Sequence, residues 1–299
     1  MTATVTDRYP TRSDVKVGVE PRHDPVVWTP DRGHDSGGPL DSHTVDRFDA
    51  DGFLAVDALL DPDVVADLWA ELDSLRTDAV LADDERSVLE PDSREIRSIF
   101  EVHKVSPAFA ALVADLRLVG PVRQLLGSDV YVHQSRVNFK PGFNGQEFFW
   151  HSDFETWHAE DGMPAPRAIS VSVALTENLD CNGSLMIMPG SHKWFVSCPG
   201  ETPPEHYRSS LRRQEIGTPD DASLTWLAAE RGIRQITGLA GSAVFFDSNC
   251  MHGSSSNITP YPRSNVFIVY NSVENTLVEP FGAAAPRPTF IASRTFDPV

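Results

Sequence analysis

Cysteine is scarce: only Cys181, Cys198 and Cys250 occur in 299 residues. Three is an odd number with no C-x-x-C pair, which argues against a disulfide framework or a thiolate zinc site and favours a reducing compartment. Positive charge is also in deficit, with 25 Lys and Arg against 43 Asp and Glu and a net charge of -18. A long phosphate backbone or an anionic bilayer would be repelled, so neither nucleic acid nor a membrane is an expected partner. No apolar run approaches the roughly 18 residues of a membrane-spanning helix. Residues 1–10 hold no apolar signal core, and a cytoplasmic protein is expected. Internal repeats are absent as well.

What is present divides the chain in two. Residues 1–40 mix Pro, Gly, Asp and Arg without apolar periodicity, which predicts a loosely held arm ahead of a single domain over 41–299. Val64, Leu68, Leu72 and Leu75 recur at helical spacing behind Asp61, a candidate cap, and Pro62. A second helix is predicted over 107–126, its face formed by Phe109, Leu112, Val113, Leu116 and Val119 and its end marked by Gly127. Beyond Val130 the period changes to two, with short β-rich runs at 130–140, 168–176, 184–188, 242–247 and 265–272. Helices first and strands afterwards predict a mainly β protein, a jelly roll with helices buttressing one sheet. The polar stretch 198–234 reads as a lid or a surface excursion.

Chemistry concentrates in Phe148-Phe-Trp-His-Ser-Asp-Phe-Glu-Thr-Trp157, which holds the chain's one H-x-D. Extended backbone would place His151 and Asp153 on one strand face. Ninety-nine residues beyond Asp153, and just after the apolar run Ala243–Asp247, stands His252. Two histidines and a carboxylate on one face of an octahedral Fe(II) leave three cis positions open, enough for a bidentate keto acid and O2. Arg263 follows eleven residues later, and its planar fork suits the far carboxylate of such a keto acid. Ser254 offers a hydroxyl donor. On the strand 130–140, Gln134, Arg136, Asn138 and Lys140 share a face while Tyr131, Val137 and Phe139 take the other. Buried, that polar row needs a polar ligand or water. Parity likewise groups Arg263 with Asn265. Among the aromatics near the triad, Trp157 is the first choice to face a delocalised cation. His103, His133, His158, His192 and His206 lack ligand spacing and read as structural or surface groups. A zinc hydrolase would need a general acid or base that nothing here singles out. A non-catalytic metal-binding barrel remains an alternative, as does a hydroxylase of another small polar metabolite.

The run from Phe148 through Trp157 to His158-Ala-Glu-Asp-Gly-Met-Pro164 resembles the signature of the ectoine hydroxylases. Phe48-Asp-Ala-Asp-Gly-Phe-Leu54 is similar to the broader phytanoyl-CoA dioxygenase superfamily that contains them. The likeness extends over about 45–294. It implies a double-stranded β-helix of cupin type, Fe(II) on His151, Asp153 and His252, and 2-oxoglutarate and O2 as cosubstrates. It further implies 2-oxoglutarate held by Arg263, Lys140, Ser254 and Asn138, and ectoine held by Gln134, Trp157, Asn265 and Arg136. The implied reaction gives 5-hydroxyectoine, succinate and CO2, in a protein that the resemblance makes a homodimer.

Overall fold

The computed structural model describes residues 6–13, 15–30, 37–89, 96–211 and 215–299. Its strands, in chain order, are β1 Gly18–Pro21, β2 Phe53–Val56, β3 Ser87–Leu89, β4 Ile96–Phe100, β5 Val130–Lys140, β6 Phe148–His151, β7 Ala168–Ala174, β8 Leu185–Ile187, β9 Trp194–Ser197, β10 Arg234–Ile236, β11 Ala243–Asp247, β12 His252–Ser254 and β13 Arg263–Ser272. Seven form one sheet in the order β2-β11-β7-β13-β5-β4-β3, and four form a second in the order β10-β8-β12-β6. β1 and β9 pair separately as a ribbon.

Side-chain alternation explains why two layers form. On β7, Ile169, Val171 and Val173 point one way, joining Val266 and Ile268 of β13 and Phe245 of β11 in a core with Phe48, Leu72, Phe109 and Leu125 from the helices. Burying each such side chain contributes about 1.5–3 kcal/mol before chain entropy is counted. The helices Ser42–Asp51, Pro62–Thr77, Pro107–Val113 and Leu116–Leu126 therefore cover that face of the large sheet. On the other face Val244 and Phe246 of β11 meet Leu185 and Ile187 of β8. Two facing antiparallel sheets with helices outside one of them make the expected jelly roll, and the polar cavity lies between the sheets.

Four local expectations differ from what folds. The second helix is two, because the Asp115 carboxylate accepts from the Arg117 amide and caps a new start at Leu116, competing with continuation of the first helix. Leu116 consequently turns outward and is 73% exposed. Asp61 occupies the cap position of Pro62–Thr77 without a side-chain capping bond. Along β5, Gln134 pairs with Val269 and Val132 with Tyr270, leaving His133 as an extra residue. That bulge reverses the parity upstream, so Tyr131 leaves the helix-side core and its hydroxyl accepts from Asn271 instead.

The fourth difference concerns the expected loose arm. Tyr9 and Arg12 are buried, and β1 pairs in register with β9. Tyr9 packs against Phe154 and Phe195 at ring-centroid distances of 5.0 Å each. Sparse single anchors, rather than a periodic apolar stripe, fasten the described residues of this segment, 6–13, 15–30 and 37–40, and periodicity gives no sign of them; the rest of the arm lies outside the described residues.

Candidate functional site

β12 runs antiparallel to β6 with His252 directly opposite His151, so sheet register alone brings the two imidazoles together at a centroid distance of 4.3 Å. Asp153 does not share their strand. β6 ends at His151, and Asp153 opens the short helix Asp153–Thr156, where the Phe154 amide donates to the Ser248 carbonyl at 2.9 Å. Convergence thus comes from a strand-to-helix turn rather than the expected alternation. One donor atom from each of His151, Asp153 and His252 lies within 4.8 Å of the others.

Hydrogen bonding sets the imidazole tautomers. His151 Nδ1 lies 2.7 Å from the Phe149 carbonyl and His252 Nδ1 3.0 Å from the Cys250 carbonyl. A carbonyl only accepts, so each Nδ1 carries the proton and each Nε2 lone pair is left for a metal. Those Nε2 atoms are 3.6 Å and 3.9 Å from the Asp153 carboxylate oxygens. Burial first, then the neighbouring His151, pushes the His252 imidazole down to about 4, so it is neutral at pH 7 as ligation requires. Burial alone would raise Asp153, but His252, His151 and Arg136 hold it well below the usual carboxylate range. The Ser170 hydroxyl donates to its Oδ2 at 3.1 Å. A tautomer-locked histidine pair and an ionised carboxylate suit an octahedral divalent iron with three positions left over.

Two chambers adjoin this triad. The inner one is lined by Arg136, Asn138, Phe148, His151, His252, Ser254 and Arg263. Arg263 is buried with Nε and Nη1 lacking any hydrogen-bond partner, a costly state unless an anion arrives. The outer chamber is lined by Gln134, Arg136, Phe148, His151, Asp153, Thr156, Trp157, Glu160, His206 and Arg287, among others. Arg136, Phe148 and His151 face both chambers.

The phytanoyl-CoA dioxygenase profile matches residues 48–265, most of the chain. The chain belongs to that family. Similarity is higher still to the ectoine dioxygenase of Streptomyces coelicolor, 60% identical over 100% of this chain and 98% of the relative. The ectoine dioxygenase of Bordetella bronchiseptica is 52% identical over 96% and 92% of the two chains. The crystal structure of EctD from S. alaskensis with 2-oxoglutarate and 5-hydroxyectoine superposes with a TM-score of 0.86 at 46% identity, covering 98% and 96%.

In this dioxygenase, nine of the eleven residues expected from the sequence line one or both chambers. Lys140 and Asn265 do not. The Lys140 ammonium stands behind the wall, donating to Ser254 Oγ at 2.8 Å and the Ser255 carbonyl at 2.6 Å. Asn265 Nδ2 donates to Ser172 Oγ at 3.0 Å while its Oδ1 is buried without a partner. Gln134 faces the outer chamber with Nε2 already donating to the Ile291 carbonyl. Sequence reasoning missed Arg287, Glu160 and Thr156, and took His206 for a structural or surface group. Arg287 sits in a Pro- and Ala-rich stretch without periodicity, and His206 in the 198–234 insertion, so neither carried a readable signal. Glu160 lies inside the run 148–164, yet nothing in its spacing marks it as a wall residue.

Lys140 yields a pH prediction. Burial, reinforced by Arg263 and Arg97, pushes its ammonium down to about 6. A dicarboxylate bound beside Ser254 favours the charged form, so binding takes up a proton at pH above about 6. The affinity for 2-oxoglutarate is therefore expected to fall as pH rises from 6 towards 8.5, in titrations of the metal-loaded protein. Lys140→Met should flatten that slope.

Proposed function

We propose that this chain hydroxylates ectoine to 5-hydroxyectoine, using Fe(II), 2-oxoglutarate and O2, with His151, Asp153 and His252 as the iron ligands. One oxygen atom enters the product and the other enters succinate as CO2 leaves, which balances the reaction. The observation that carries the reading is the open-sided triad beside Arg263, whose unpaired N–H groups await a carboxylate. Identity to curated ectoine dioxygenases over the full chain supports the substrate. The iron, when bound, supplies O2 activation coupled to oxidative decarboxylation of the keto acid.

The chain's own residues would then divide the work. Arg263 grips the distal carboxylate of 2-oxoglutarate as a fork, with Asn138 and Ser254 donating alongside and Lys140 adding positive potential from behind. Trp157 presents its indole to the delocalised cation of the ectoine ring, and Gln134 and Arg136 offer polar contacts from β5, with Asn265 behind them. Phe148, between the chambers, keeps water from the reacting carbon. We further read residues 41–299 as one catalytic domain. Among the described residues no helix is long and apolar enough to cross a membrane. Together with free Cys181, Cys198 and Cys250, this supports a cytoplasmic enzyme.

The test is anaerobic loading with Fe(II), followed by O2, 2-oxoglutarate and ectoine, with mass spectrometry of the product. Gain of one oxygen on ectoine with stoichiometric succinate is expected. Iron binding without ectoine-dependent succinate release would instead indicate a non-catalytic barrel, and turnover only with another metabolite a different substrate.

A further inference from the structure

We infer that Arg12, in the segment ahead of the barrel, is a positioning residue for the substrate wall, acting through Glu155 and Glu160 on Trp157. The inference rests on the ectoine reading above, because Trp157 is there the residue that faces the cationic ring of the substrate.

Trp157 lies where the helical turn Asp153–Thr156 passes into a π-helical turn, Trp157–Asp161. A π turn is intrinsically weak and persists where its surroundings hold it. This one carries Glu160 and Asp161 with Glu155 just ahead of it, three carboxylates of which each residue is at most 2% exposed. Buried like charges require cations. Among the described residues two arginines contact them. Arg287 holds Asp161 through two hydrogen bonds, and Arg12 holds Glu155 as a fork, Nε to Oε1 at 2.7 Å and Nη2 to Oε2 at 2.9 Å. Arg12 Nη2 also reaches Glu160 Oε1 at 3.3 Å, and His206 Nδ1 lies 2.9 Å from that same oxygen.

Arg12 is held in turn. Its residue is 0% exposed, its amide donates to the Cys198 carbonyl at 2.9 Å, and neighbouring Thr11 donates its hydroxyl to Glu155 Oε1 at 2.7 Å. A Cβ at Gly217 would stand 2.4 Å from Arg12 Nη2, and one at Gly282 would stand 3.0 Å from its Cγ. The backbone of Arg12 has φ 70, a left-handed conformation that an arginine keeps only where its surroundings impose it. Four distant parts of the chain, at 155–160, 198, 217 and 282, therefore close around this one arginine.

Glu155 and Glu160 flank Trp157 at two residues before and three after. Asp153 is steadied separately by the Ser170 hydroxyl, and Arg263 lies on β13, away from this turn. Loss of Arg12 should consequently be felt by the substrate and not by the keto acid.

Arg12→Ala is expected to raise the KM for ectoine about tenfold and to release succinate in several-fold excess over hydroxylated product, since a small misplacement of substrate costs rate steeply. The KM for 2-oxoglutarate should stay within about twofold, because none of its contacts changes. Arg12→Lys, which keeps the charge but not the fork, should fall between. Hydrogen exchange in the metal-free protein should quicken at residues 157–161 in both variants. If Arg12→Ala fails to fold, the same measurements on Arg12→Lys decide. Unchanged ectoine KM and coupling, or equal losses towards both substrates, would overturn the inference. Failure of the unsubstituted enzyme to hydroxylate ectoine would instead overturn the reading beneath it.

Discussion

Asp153→Ala is expected to abolish turnover and to weaken iron binding by more than about 100-fold, since removing even the partners of a metal ligand typically costs 10–100-fold. The carboxylate is the single anionic member of the triad, and it sits between both Nε2 atoms. Without it the site keeps two imidazoles and no negative charge, which offset far less of the cost of bringing a divalent cation beside Arg136 and Arg263. Metal analysis after dialysis, together with succinate release, checks this. An Asp153→Ala enzyme that retained iron and turned over at more than a few per cent would contradict the ligand assignment.

For Arg263→Ala the 2-oxoglutarate KM should rise by about 10²–10³-fold, with much of kcat recovered at saturating cosubstrate. Truncating one partner of a buried, hydrogen-bonded charge pair costs about 2–5 kcal/mol, which at about 1.4 kcal/mol per decade spans about 30- to 4,000-fold and brackets that rise. Burial lowers the guanidinium only to about 10, so it remains a cation at working pH. Arg263→Lys should recover part of the loss, as an ammonium supplies charge without a planar fork. Ectoine KM at saturating 2-oxoglutarate serves as the control and should move little. An unaltered 2-oxoglutarate KM would mean that another group carries the carboxylate.

Spacing chose His151, Asp153 and His252, but for a partly mistaken reason: alternation was expected to align the first pair, whereas Asp153 lies past the strand end at the start of a helix. The residue types were sufficient because few arrangements of two histidines and a carboxylate near strand ends leave an open iron face. Parity groups Gln134, Arg136, Asn138 and Lys140 on one face; the first three line the chambers, Lys140 stands behind the wall, and the grouping fails at Tyr131. A one-residue bulge at His133 shifts every side chain before it, and nothing in local propensity announces a bulge.

Composition and pattern by themselves determined the fold class, the acidic character, the residues of the candidate triad and the arginine beside it. These follow from local rules: period, charge and coordination chemistry act residue by residue. Tertiary structure alone decided that Arg12, Glu155 and Glu160 meet in the interior, that Arg287 and His206 reach the outer chamber, and that Lys140 stands behind the wall of the inner one. Arg12 meets Glu155, and Arg287 meets Asp161, across more than a hundred residues through buried ion pairs, from segments without periodicity. Their energy depends on burial and geometry that arise only once the sheets have closed.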